Sequence, residues 1–490
     1  MIHLLRRLHS TSKTNLSFPT SIIPNYTILI PKYRKRSITM AASKEVKSSL
    51  IDFMRGHPST SLLATSEMLA AANAVLGSSE LPQDSFDKDR HPLHYGPDLG
   101  NISFRREIGI WSAARYGLNA PTDPEMINLT SGASNGLSKA LELFTNPIGG
   151  YTRRAFILTP VYFLACPVFQ DSGFANLLTA ISLTSCGTSL DFPTLISQLE
   201  SSSSSPQTTS LEEATSPLKS LVSKPLYRHV LYCVPTFSNP TGTTLSLESR
   251  TQLVKLAREH DMLLITDDVY DFLDYRNSPN QPHKTAIKRL VDIDRELGVK
   301  DDEKGHTLSN CSFSKILGPG VRCGWVEGAT SVLAQAMGKS GANHSGGAPC
   351  QLSSTIIHRL LPETDGKKRV IDDVIGNICV AYKRRAELLK KLIKEHWPEG
   401  TEVQGGEGGY FVWVKLPEGY DARDAAKVAL ERGVRVGEGD GFEVPIVKGV
   451  GEANVMGWGR RYLRLSVSYL EEDTIAQGIK VLGEAMRKPN

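Results

Sequence analysis

The chain has 490 residues, of which 40% are hydrophobic and 22% are charged, an ordinary composition for a globular protein. This composition excludes a wholly disordered chain and a collagen-like repeat, and no stretch approaches the about 18 apolar residues of a membrane span. The 56 basic residues only slightly outnumber the 52 acidic ones, and their distribution along the chain matters more than the total.

Residues 1–44 form a basic leader that is rich in Ser and Thr, with eight Lys or Arg side chains and no acidic one. This composition is typical of a mitochondrial transit peptide, so we expect a mitochondrial protein. Two alternatives stay open: the leader is a disordered basic tail, or translation starts at Met40 and the protein is cytoplasmic. Subtracting the eight leader residues from 56 leaves 48 basic against 52 acidic residues, which does not indicate a nucleic-acid-binding surface.

The seven cysteines are scattered, and no two of them have the C-x-x-C spacing. This favours a reducing compartment and argues against a zinc site or a disulfide framework. The pair His91 and His94 lacks a third ligand at metal-site spacing. The letters G-K-S at 338–340 do not complete a phosphate-binding loop, because Leu333 stands where its first glycine is needed. We predict no metal.

In chain order, the first predicted elements are helices over residues 44–76 with a polar break at 57–59. From about residue 100 to 330, helical stretches alternate with short apolar runs. Three of these runs are bounded by Pro or Asp and are predicted as buried strands, at 156–158, 229–234 and 262–265. Such alternation is typical of a parallel sheet with helices on both faces, so we predict an α/β fold.

A second pattern follows residue 350 and differs from the first. It contains a long helical stretch, a strand at 410–414, a helix near 422–432 and the segment 462–469. We therefore predict a large domain with a mostly parallel sheet and a smaller α+β domain. The predicted parts are the leader 1–44, a segment 45–95 that joins the small domain, the large domain 96–350 with surface insertions at 201–225 and 276–305, and the small domain 351–490.

Four motifs stand beside these predicted strands and helices. Residues 129–136 read L-T-S-G-A-S-N-G and open a helical run, where free backbone N–H groups suit a phosphate. Residues 234–242 read V-P-T-F-S-N-P-T-G and follow a strand. Residues 263–270 read L-L-I-T-D-D-V-Y, which places acids where open α/β sheets bind ligands. Residues 312–315 read S-F-S-K, and Arg322 follows the lysine by seven positions.

Taken singly, each motif also has a plain structural explanation. The first could be an ordinary helix cap, the second a turn, the third a helix N-cap and the fourth a surface loop with a lysine. The order of the four along one chain is what indicates a function.

In this order the motifs resemble those of the class I/II aminotransferases, the pyridoxal-phosphate enzymes of fold type I, over roughly residues 90–475. The letters Y-G-P-D-L-G at 95–100, T-P-V-Y at 159–162, G-G-Y-F-V-W at 408–413 and Y-L-R-L-S at 462–466 belong to the same resemblance. The chain is most similar to the branch with 2-aminoadipate, kynurenine and aromatic amino-acid aminotransferases. The resemblance implies a homodimeric transaminase that uses pyridoxal 5'-phosphate, an L-amino acid and a 2-oxo acid such as 2-oxoglutarate.

The resemblance also implies a role for each matching residue. Lys315 is expected to bond to the cofactor aldehyde and to move the substrate proton, and Asp267 to pair with the pyridine nitrogen. Tyr270 and Asn239 are expected at the phenolic oxygen of the cofactor, and Tyr162 on its ring face. The residues expected around the phosphate are Gly132, Ala133, Ser134, Ser312, Ser314 and Arg322.

Substrate contacts are implied in the same way. Arg464 is expected to bind the α-carboxylate with its two-pronged guanidinium, near Asn239. Tyr95 is expected to reach into the site of a partner subunit. Two positions depart from the family pattern: Ala133 stands where a hydroxyl is common, and Glu438 replaces a proline in a loop near the substrate. The first departure leaves open whether one hydrogen bond to the phosphate is made, and the second leaves open which substrate side chains the enzyme accepts.

Two other functions are alternatives to transamination. A lyase on the same scaffold would use the same Lys315 and Asp267, so the sequence discriminates poorly between the two. A regulator with a fused DNA-binding module is disfavoured, because residues 1–44 offer only a basic leader and both Lys315 and Arg464 are present. The natural amino donor and acceptor are not identified by the sequence.

Overall fold

The computed structural model describes residues 50–77, 89–203, 225–276, 287–300, 303–363, 366–447, 453–454 and 457–487. The leader, residues 204–224 of the first predicted insertion, and residues 277–286 and 301–302 of the second lie outside the described residues, so what was predicted for them stays a prediction. The described part of the second insertion is not a surface segment, because it contains the helix Leu290–Glu296, whose residues from Leu290 to Asp294 are buried. None of the helices in the described part is long and apolar enough to cross a membrane. All seven cysteines have free thiols.

A seven-stranded sheet forms the centre of the fold. Its strands are β2 (Ile127–Thr130), β3 (Arg154–Thr159), β4 (Leu178–Ser182), β5 (His229–Cys233), β6 (Met262–Asp267), β7 (Thr307–Ser312) and β8 (Gly324–Gly328). They lie in the order β2-β8-β7-β6-β5-β3-β4. Strand β8 runs antiparallel to both of its neighbours, and the other pairs are parallel. The predicted α/β fold with a mostly parallel sheet is confirmed, and β3, β5 and β6 contain the three strands predicted from apolar runs.

The sheet is covered on both faces, so strands such as β5, β6 and β7 are buried along their whole length. Successive residues of β5 alternate between two hydrophobic clusters: Val230 and Tyr232 belong to one, and Leu231 and Cys233 to the other. Because side chains of a strand point alternately to opposite faces, each face needs its own apolar layer.

The helices of the described residues cover these faces and build the rest of the chain. In chain order they are α1 (Thr65–Leu76), α2 (Ile102–Tyr116), α3 (Ala133–Phe144), α4 (Ala165–Phe169), α5 (Phe192–Ser203), α6 (Leu247–Glu259), α7 (Leu290–Glu296), α8 (Ser331–Gly338), α9 (Gly341–Gly346), α10 (Gln351–His358), α11 (Val370–His396), α12 (Ala422–Glu431) and α13 (Glu472–Ala485). Helix α13 was not predicted from the sequence. It packs against α11.

The chain after α11 contributes a second, antiparallel sheet. Its strands are β9 (Glu402–Gly405), β10 (Phe411–Lys415), β12 (Gly437–Glu438) and β15 (Tyr462–Ser466), in the order β12-β15-β10-β9. Two small two-stranded sheets complete the fold: β1 (Ile51–Asp52) with β11 (Val434–Arg435), and β13 (Ile446–Val447) with β14 (Ala453–Asn454).

The predicted helix at the start of the body is wrong for the described residues before the polar break. Residues 51–52 form β1, whose backbone pairs in parallel with β11. Gly56 and Pro58 oppose a helix here, the first by its backbone freedom and the second by its missing N–H group. The main chain therefore takes its hydrogen bonds from a distant strand, and helix α1 begins only at Thr65.

Candidate active site

A cavity of about 180 Å³ lies at the carboxyl edge of the central sheet. The motifs meet there because β5, β6 and β7 are parallel neighbours and end at the same edge. Ten of the predicted site residues line this cavity: Ala133, Ser134, Tyr162, Asn239, Asp267, Tyr270, Ser312, Ser314, Lys315 and Arg322. Of the other three, Gly132 and Arg464 adjoin the lining residues, and Tyr95 lies elsewhere.

Lys315 is half-buried and lies in a short 3-10 turn that follows β7. Its Nζ donates a hydrogen bond to the carbonyl of Gly56 at 3.3 Å and lies 5.7 Å from the ring centre of Tyr270 and 5.2 Å from that of Tyr410. Burial lowers the pKa of Lys315 to about 8, Asp267 opposes this change, and the cation of Arg464 adds to it. About one tenth of the amine is therefore neutral at pH 7, against roughly one part in 3,000 for an ordinary lysine, and the neutral form is the nucleophile.

Asp267 is the last residue of β6 and is buried. Its Oδ2 accepts a hydrogen bond from the hydroxyl of Tyr232 at 2.8 Å, while its buried Oδ1 has no partner among the described residues. Burial raises the pKa of Asp267 to about 6. The site thus presents a buried carboxylate oxygen that can accept a hydrogen bond from a bound molecule.

The first turn of α3 forms a cradle for an anion. Gly132 precedes the helix with φ = 105°, a value that L side chains rarely adopt. A Cβ at this position would also lie 2.8 Å from Nη2 of Arg322, which donates to the carbonyl of Ser131 at 2.6 Å. The helix N-terminus and the Arg322 guanidinium both favour a negatively charged ligand here. Ser312 and Ser314 join this side of the cavity, with their hydroxyls 2.9 Å apart.

Arg464 is anchored beside the cavity rather than solvated. Only 3% of it is exposed. Its Nη1 donates to Oδ1 of Asn239 at 3.0 Å, and its Nη2 donates to the carbonyl of Met54 at 2.6 Å. The rings of Phe411 and Phe442 lie 4.1 Å and 4.7 Å from the guanidinium carbon. Both acceptors are neutral and the buried Nε has no partner in the described residues, so the cation can still bind a carboxylate.

Tyr162 and Tyr270 close the cavity with aromatic rings. Tyr270 is buried, and burial together with the nearby charge of Asp267 raises its pKa well above the usual range, so its hydroxyl remains a proton donor. Tyr162 is partly buried against the core, and burial also raises its pKa. Both hydroxyls therefore stay protonated at physiological pH.

Tyr95 is not part of this cavity within one chain. It is 75% exposed and lines a different cavity of about 660 Å³.

The structure also shows where the two departures from the family pattern lie. Ala133 lines the cavity of about 180 Å³ next to Ser134, and Glu438 is exposed on β12. The loop that follows Glu438 reaches Arg464 through Phe442.

Several contacts of the site were missed by the sequence reasoning. The segment before α1 supplies backbone carbonyls of Met54 and Gly56 to the two cations, and the hydroxyl of Tyr410 donates to the carbonyl of Lys315 at 2.9 Å. The bond from Tyr232 to Asp267 was missed as well. A usable signal existed for Tyr232, since a tyrosine inside a buried strand normally finds a hydrogen-bond partner.

The residues of the cavity fit pyridoxal phosphate, the cofactor implied by the sequence resemblance. Lys315 is an amine of lowered pKa that can bond to an aldehyde. Oδ1 of Asp267, which has no partner among the described residues, can accept a hydrogen bond from a protonated ring nitrogen. The cradle at Gly132 and Arg322 suits the phosphate. Among the described residues, no group of three or more His, Cys, Asp or Glu side chains is arranged to hold a metal ion.

Comparison with known proteins agrees with this geometry. The model of the family "aminotransferase class I and II" matches residues 65–482. An uncharacterised protein of Saccharomyces cerevisiae is 39% identical over 445 residues, which span 89% of this chain and 97% of that protein. Aromatic-amino-acid aminotransferase 1 of Thermococcus litoralis is 25% identical over 437 residues, which span 87% of this chain and 90% of the relative. The crystal structure of Pyrococcus horikoshii kynurenine aminotransferase, in complex with PMP, has a TM-score of 0.66 and 25% identity, and the match covers 90% of this chain and 91% of that one.

Proposed function

The chain belongs to the class I and II aminotransferases, and we propose that this pyridoxal-phosphate-dependent enzyme transfers the amino group of an aromatic or 2-aminoadipate-like L-amino acid to a 2-oxo acid such as 2-oxoglutarate. The observation that carries the proposal is that Lys315 and Asp267 line one cavity, while Arg464 is hydrogen-bonded to Asn239 in its wall. A nucleophilic amine, a buried carboxylate and an anchored guanidinium are the groups that this transfer requires.

When bound, pyridoxal phosphate supplies a conjugated ring that accepts the electron pair left on the substrate Cα after deprotonation. The protein residues would divide the remaining work. Asp267 would hold a proton on the ring nitrogen, and the Lys315 amine would take the proton from the substrate Cα and deliver it to the C4′ carbon of the cofactor. Asn239 and Tyr270 would donate to the phenolic oxygen, and Arg322 with the start of α3 would hold the phosphate.

Arg464 orients the substrate through its α-carboxylate. The guanidinium is already held by Asn239 and Met54, so little conformational freedom is lost when the carboxylate binds. Its planar fork can then make two parallel hydrogen bonds, which fix the direction in which the Cα–H bond points. Removal of water from this buried site strengthens the pairing.

The surroundings of Arg464 support a substrate with a large side chain. Phe442 packs edge-on against Phe163 and Trp413, with ring centres 5.6 Å apart in both cases, so buried and half-buried aromatic rings lie beside the carboxylate anchor. Aromatic neighbours of this kind suit a flat or long apolar group. Two relatives, the aromatic-amino-acid aminotransferase of Thermococcus litoralis and the kynurenine aminotransferase of Pyrococcus horikoshii, support the same class.

A panel of amino donors tests the proposal. Purified enzyme is assayed with tyrosine, phenylalanine, kynurenine, 2-aminoadipate, aspartate and alanine, each with 2-oxoglutarate and with pyruvate. We expect the highest kcat/KM for an aromatic donor or 2-aminoadipate with 2-oxoglutarate. A highest kcat/KM for alanine or aspartate would contradict the side-chain class. Repeated turnover without any 2-oxo acid, beyond the single equivalent per active site that a transaminase half-reaction releases, would instead indicate a lyase.

The lowered pKa of Lys315 predicts how cofactor attachment depends on pH. Only the neutral amine attacks the aldehyde, so the attachment rate of apoenzyme should rise as the pH increases through about 8 and then level off. Stopped-flow absorbance measures this rate on either side of pH 8. In an Arg464→Ala variant the midpoint should move upward, because a cation that lowers the pKa is removed.

A separate experiment identifies the lysine that bonds to the cofactor. Borohydride treatment of the yellow holoenzyme should fix the cofactor to the peptide that contains Lys315, as read by mass spectrometry. The Lys315→Ala variant should bind no cofactor covalently. Fixation to another lysine, or a protein that stays colourless with pyridoxal phosphate, would contradict the assignment.

We propose that the enzyme is a homodimer in which Tyr95 serves the site of the partner subunit. A tyrosine that is 75% exposed in one chain, beside a large cavity, is suited to such a contact. The variants Tyr95→Ala and Lys315→Ala should each be strongly impaired alone. After denaturation and co-refolding of an equal mixture, about one quarter of the sites should be intact, because half of the dimers are hybrids with one good site.

Activity of the co-refolded mixture measures this complementation, and each variant refolded alone is the control. Recovery to about a quarter of the wild-type rate is expected. If the mixture is no more active than the sum of the two variants, Tyr95 does not act across a dimer.

A further inference from the structure

Tyr232 is a buried tyrosine whose hydroxyl is directed at Asp267. It lies on β5, next to β6 in the central sheet, and pairs in register with Ile265. Asp267 is two residues beyond Ile265 and therefore on the same face of the sheet as Tyr232. The Tyr232 hydroxyl donates to Oδ2 of Asp267 at 2.8 Å, and only 1% of Tyr232 is exposed.

This hydrogen bond makes the two carboxylate oxygens of Asp267 unequal. Oδ2 is occupied by Tyr232, while the buried Oδ1 has no partner among the described residues. A carboxylate held at one oxygen cannot rotate freely about its last bond. The other oxygen is therefore presented in a fixed direction, in a side chain that lines the cofactor cavity.

Burial, hydrogen bonding and nearby charges shift the pKa of Asp267 in both directions. Burial raises the pKa of Asp267, the Tyr232 hydrogen bond lowers it, Asp268 just beyond the end of β6 raises it, and Lys315 beyond β7 lowers it. Burial and the Asp267 charge raise the pKa of Tyr232 well above its usual range, so Tyr232 stays a donor. Tyr162 and Tyr270 face the pair from the other elements and remain neutral hydroxyls.

We propose that Tyr232 is a positioning residue, which holds one oxygen of Asp267 so that the other meets the ring nitrogen of pyridoxal phosphate. This inference rests on the cofactor of the proposed function and does not depend on which amino acid is the substrate. Tyr232 itself touches Asp267 and not the reacting atoms, so its effect must pass through that carboxylate.

The competing explanation is that Tyr232 is only a core residue. Its ring lies 6.1 Å from that of Phe169 in an edge-on contact, and it belongs to the main hydrophobic cluster. The Tyr232→Phe variant keeps the ring and removes only the hydroxyl. A second variant, Tyr227→Phe, is the matched control: Tyr227 is also fully buried, but its hydroxyl donates to the carbonyl of Gly305, away from the cavity.

The test is a double-mutant cycle on cofactor affinity. The Kd of pyridoxal phosphate is measured by absorbance titration of apoenzyme for the wild type, Tyr232→Phe, Asp267→Asn and the double variant. We expect Tyr232→Phe to weaken binding about tenfold in the wild-type background, the size typical of a hydrogen bond to a charged group. In the Asp267→Asn background it should have no further effect, because the carboxylate it positions is gone.

Turnover gives a second readout. The Tyr232→Phe variant should lose kcat while KM for the amino acid stays unchanged, and Tyr227→Phe should change neither constant nor the cofactor Kd. An unchanged Kd in Tyr232→Phe, or an equal loss in both backgrounds, would overturn the proposal. Because cofactor affinity is measured without substrate, failure of the amino-donor assay leaves this test intact.

If Tyr232→Phe proves too unstable to purify, 3-fluorotyrosine introduced at position 232 keeps the ring and the hydroxyl. Fluorine makes the hydroxyl a stronger donor, so cofactor binding should become tighter than in the wild type. Unchanged or weaker binding with this residue would count against the positioning role.

Discussion

The Asp267→Asn variant is expected to transfer amino groups about 100- to 1,000-fold more slowly than the wild type while still binding pyridoxal phosphate. Asparagine keeps the shape of the side chain and removes its negative charge. Without that charge the ring nitrogen loses its proton, and the ring accepts electrons from the substrate Cα less readily. The cofactor stays bound, because Lys315 and the phosphate cradle at Arg322 are unchanged.

The rate is measured as a single-turnover half-reaction by the absorbance of the bound cofactor. Asp268→Asn is the matched control, since Asp268 is equally buried but its Oδ2 accepts hydrogen bonds from Thr266 and Ser309 within the sheet. We expect this control to lower the free energy of unfolding and to leave the rate of correctly folded holoenzyme within a few fold. A near-normal rate in Asp267→Asn, with a large loss in Asp268→Asn, would transfer the role to Asp268.

The Arg464→Ala variant is expected to bind amino acids more weakly by about 3–5 kcal/mol, the usual cost of removing one partner of a buried charged pair. That corresponds to a loss of a few hundred-fold or more in affinity. Arg464→Lys should be less severe, because it keeps a cation but cannot make two parallel hydrogen bonds to a carboxylate. Both variants should retain the cofactor, since Arg464 contacts Asn239 and Met54 rather than the phosphate cradle.

Half-reaction rates as a function of amino-acid concentration separate affinity from chemistry in these variants. Arg385→Lys is a matched control, because Arg385 is 2% exposed and bonds to the carbonyl of Ser468 and to Glu471, away from the cavity. It should lower stability without changing the apparent affinity for the amino acid. An unchanged affinity in Arg464→Ala would mean that another cation holds the α-carboxylate.

The sequence alone predicted three of the seven strands of the central sheet and most residues of the cavity. The three strands were readable because each is an apolar run bounded by a breaker, as at residues 229–234. The site residues were predicted from the resemblance of four motifs to one family, and topology explains why they meet: motifs that follow parallel strands lie at one edge of the sheet. Lys315, Asp267 and Asn239 therefore line one cavity although long stretches of chain separate them.

Local patterns were insufficient where a distant strand decides the conformation. The segment 51–52 reads as helical, yet its backbone pairs in parallel with β11, through hydrogen bonds from Ile51 N–H to the carbonyl of Gly433 and from Phe53 N–H to that of Arg435, and this tertiary pairing overrides local preference. The segment after it then crosses the site, where the carbonyls of Met54 and Gly56 bind Arg464 and Lys315. No sequence motif predicts these contacts, because every residue has a main-chain carbonyl whatever its side chain.

Tertiary structure alone also decided the electrostatics of the site. The lowered pKa of Lys315 and the raised pKa of Asp267 both arise chiefly from burial, and burial depends on which elements pack over a side chain. The bond from Tyr232 to Asp267 depends in turn on the register of β5 against β6. The sequence thus determined which chemical groups reach the cavity, and packing decided their protonation and direction, since desolvation and hydrogen-bond geometry are set by residues far away in the chain.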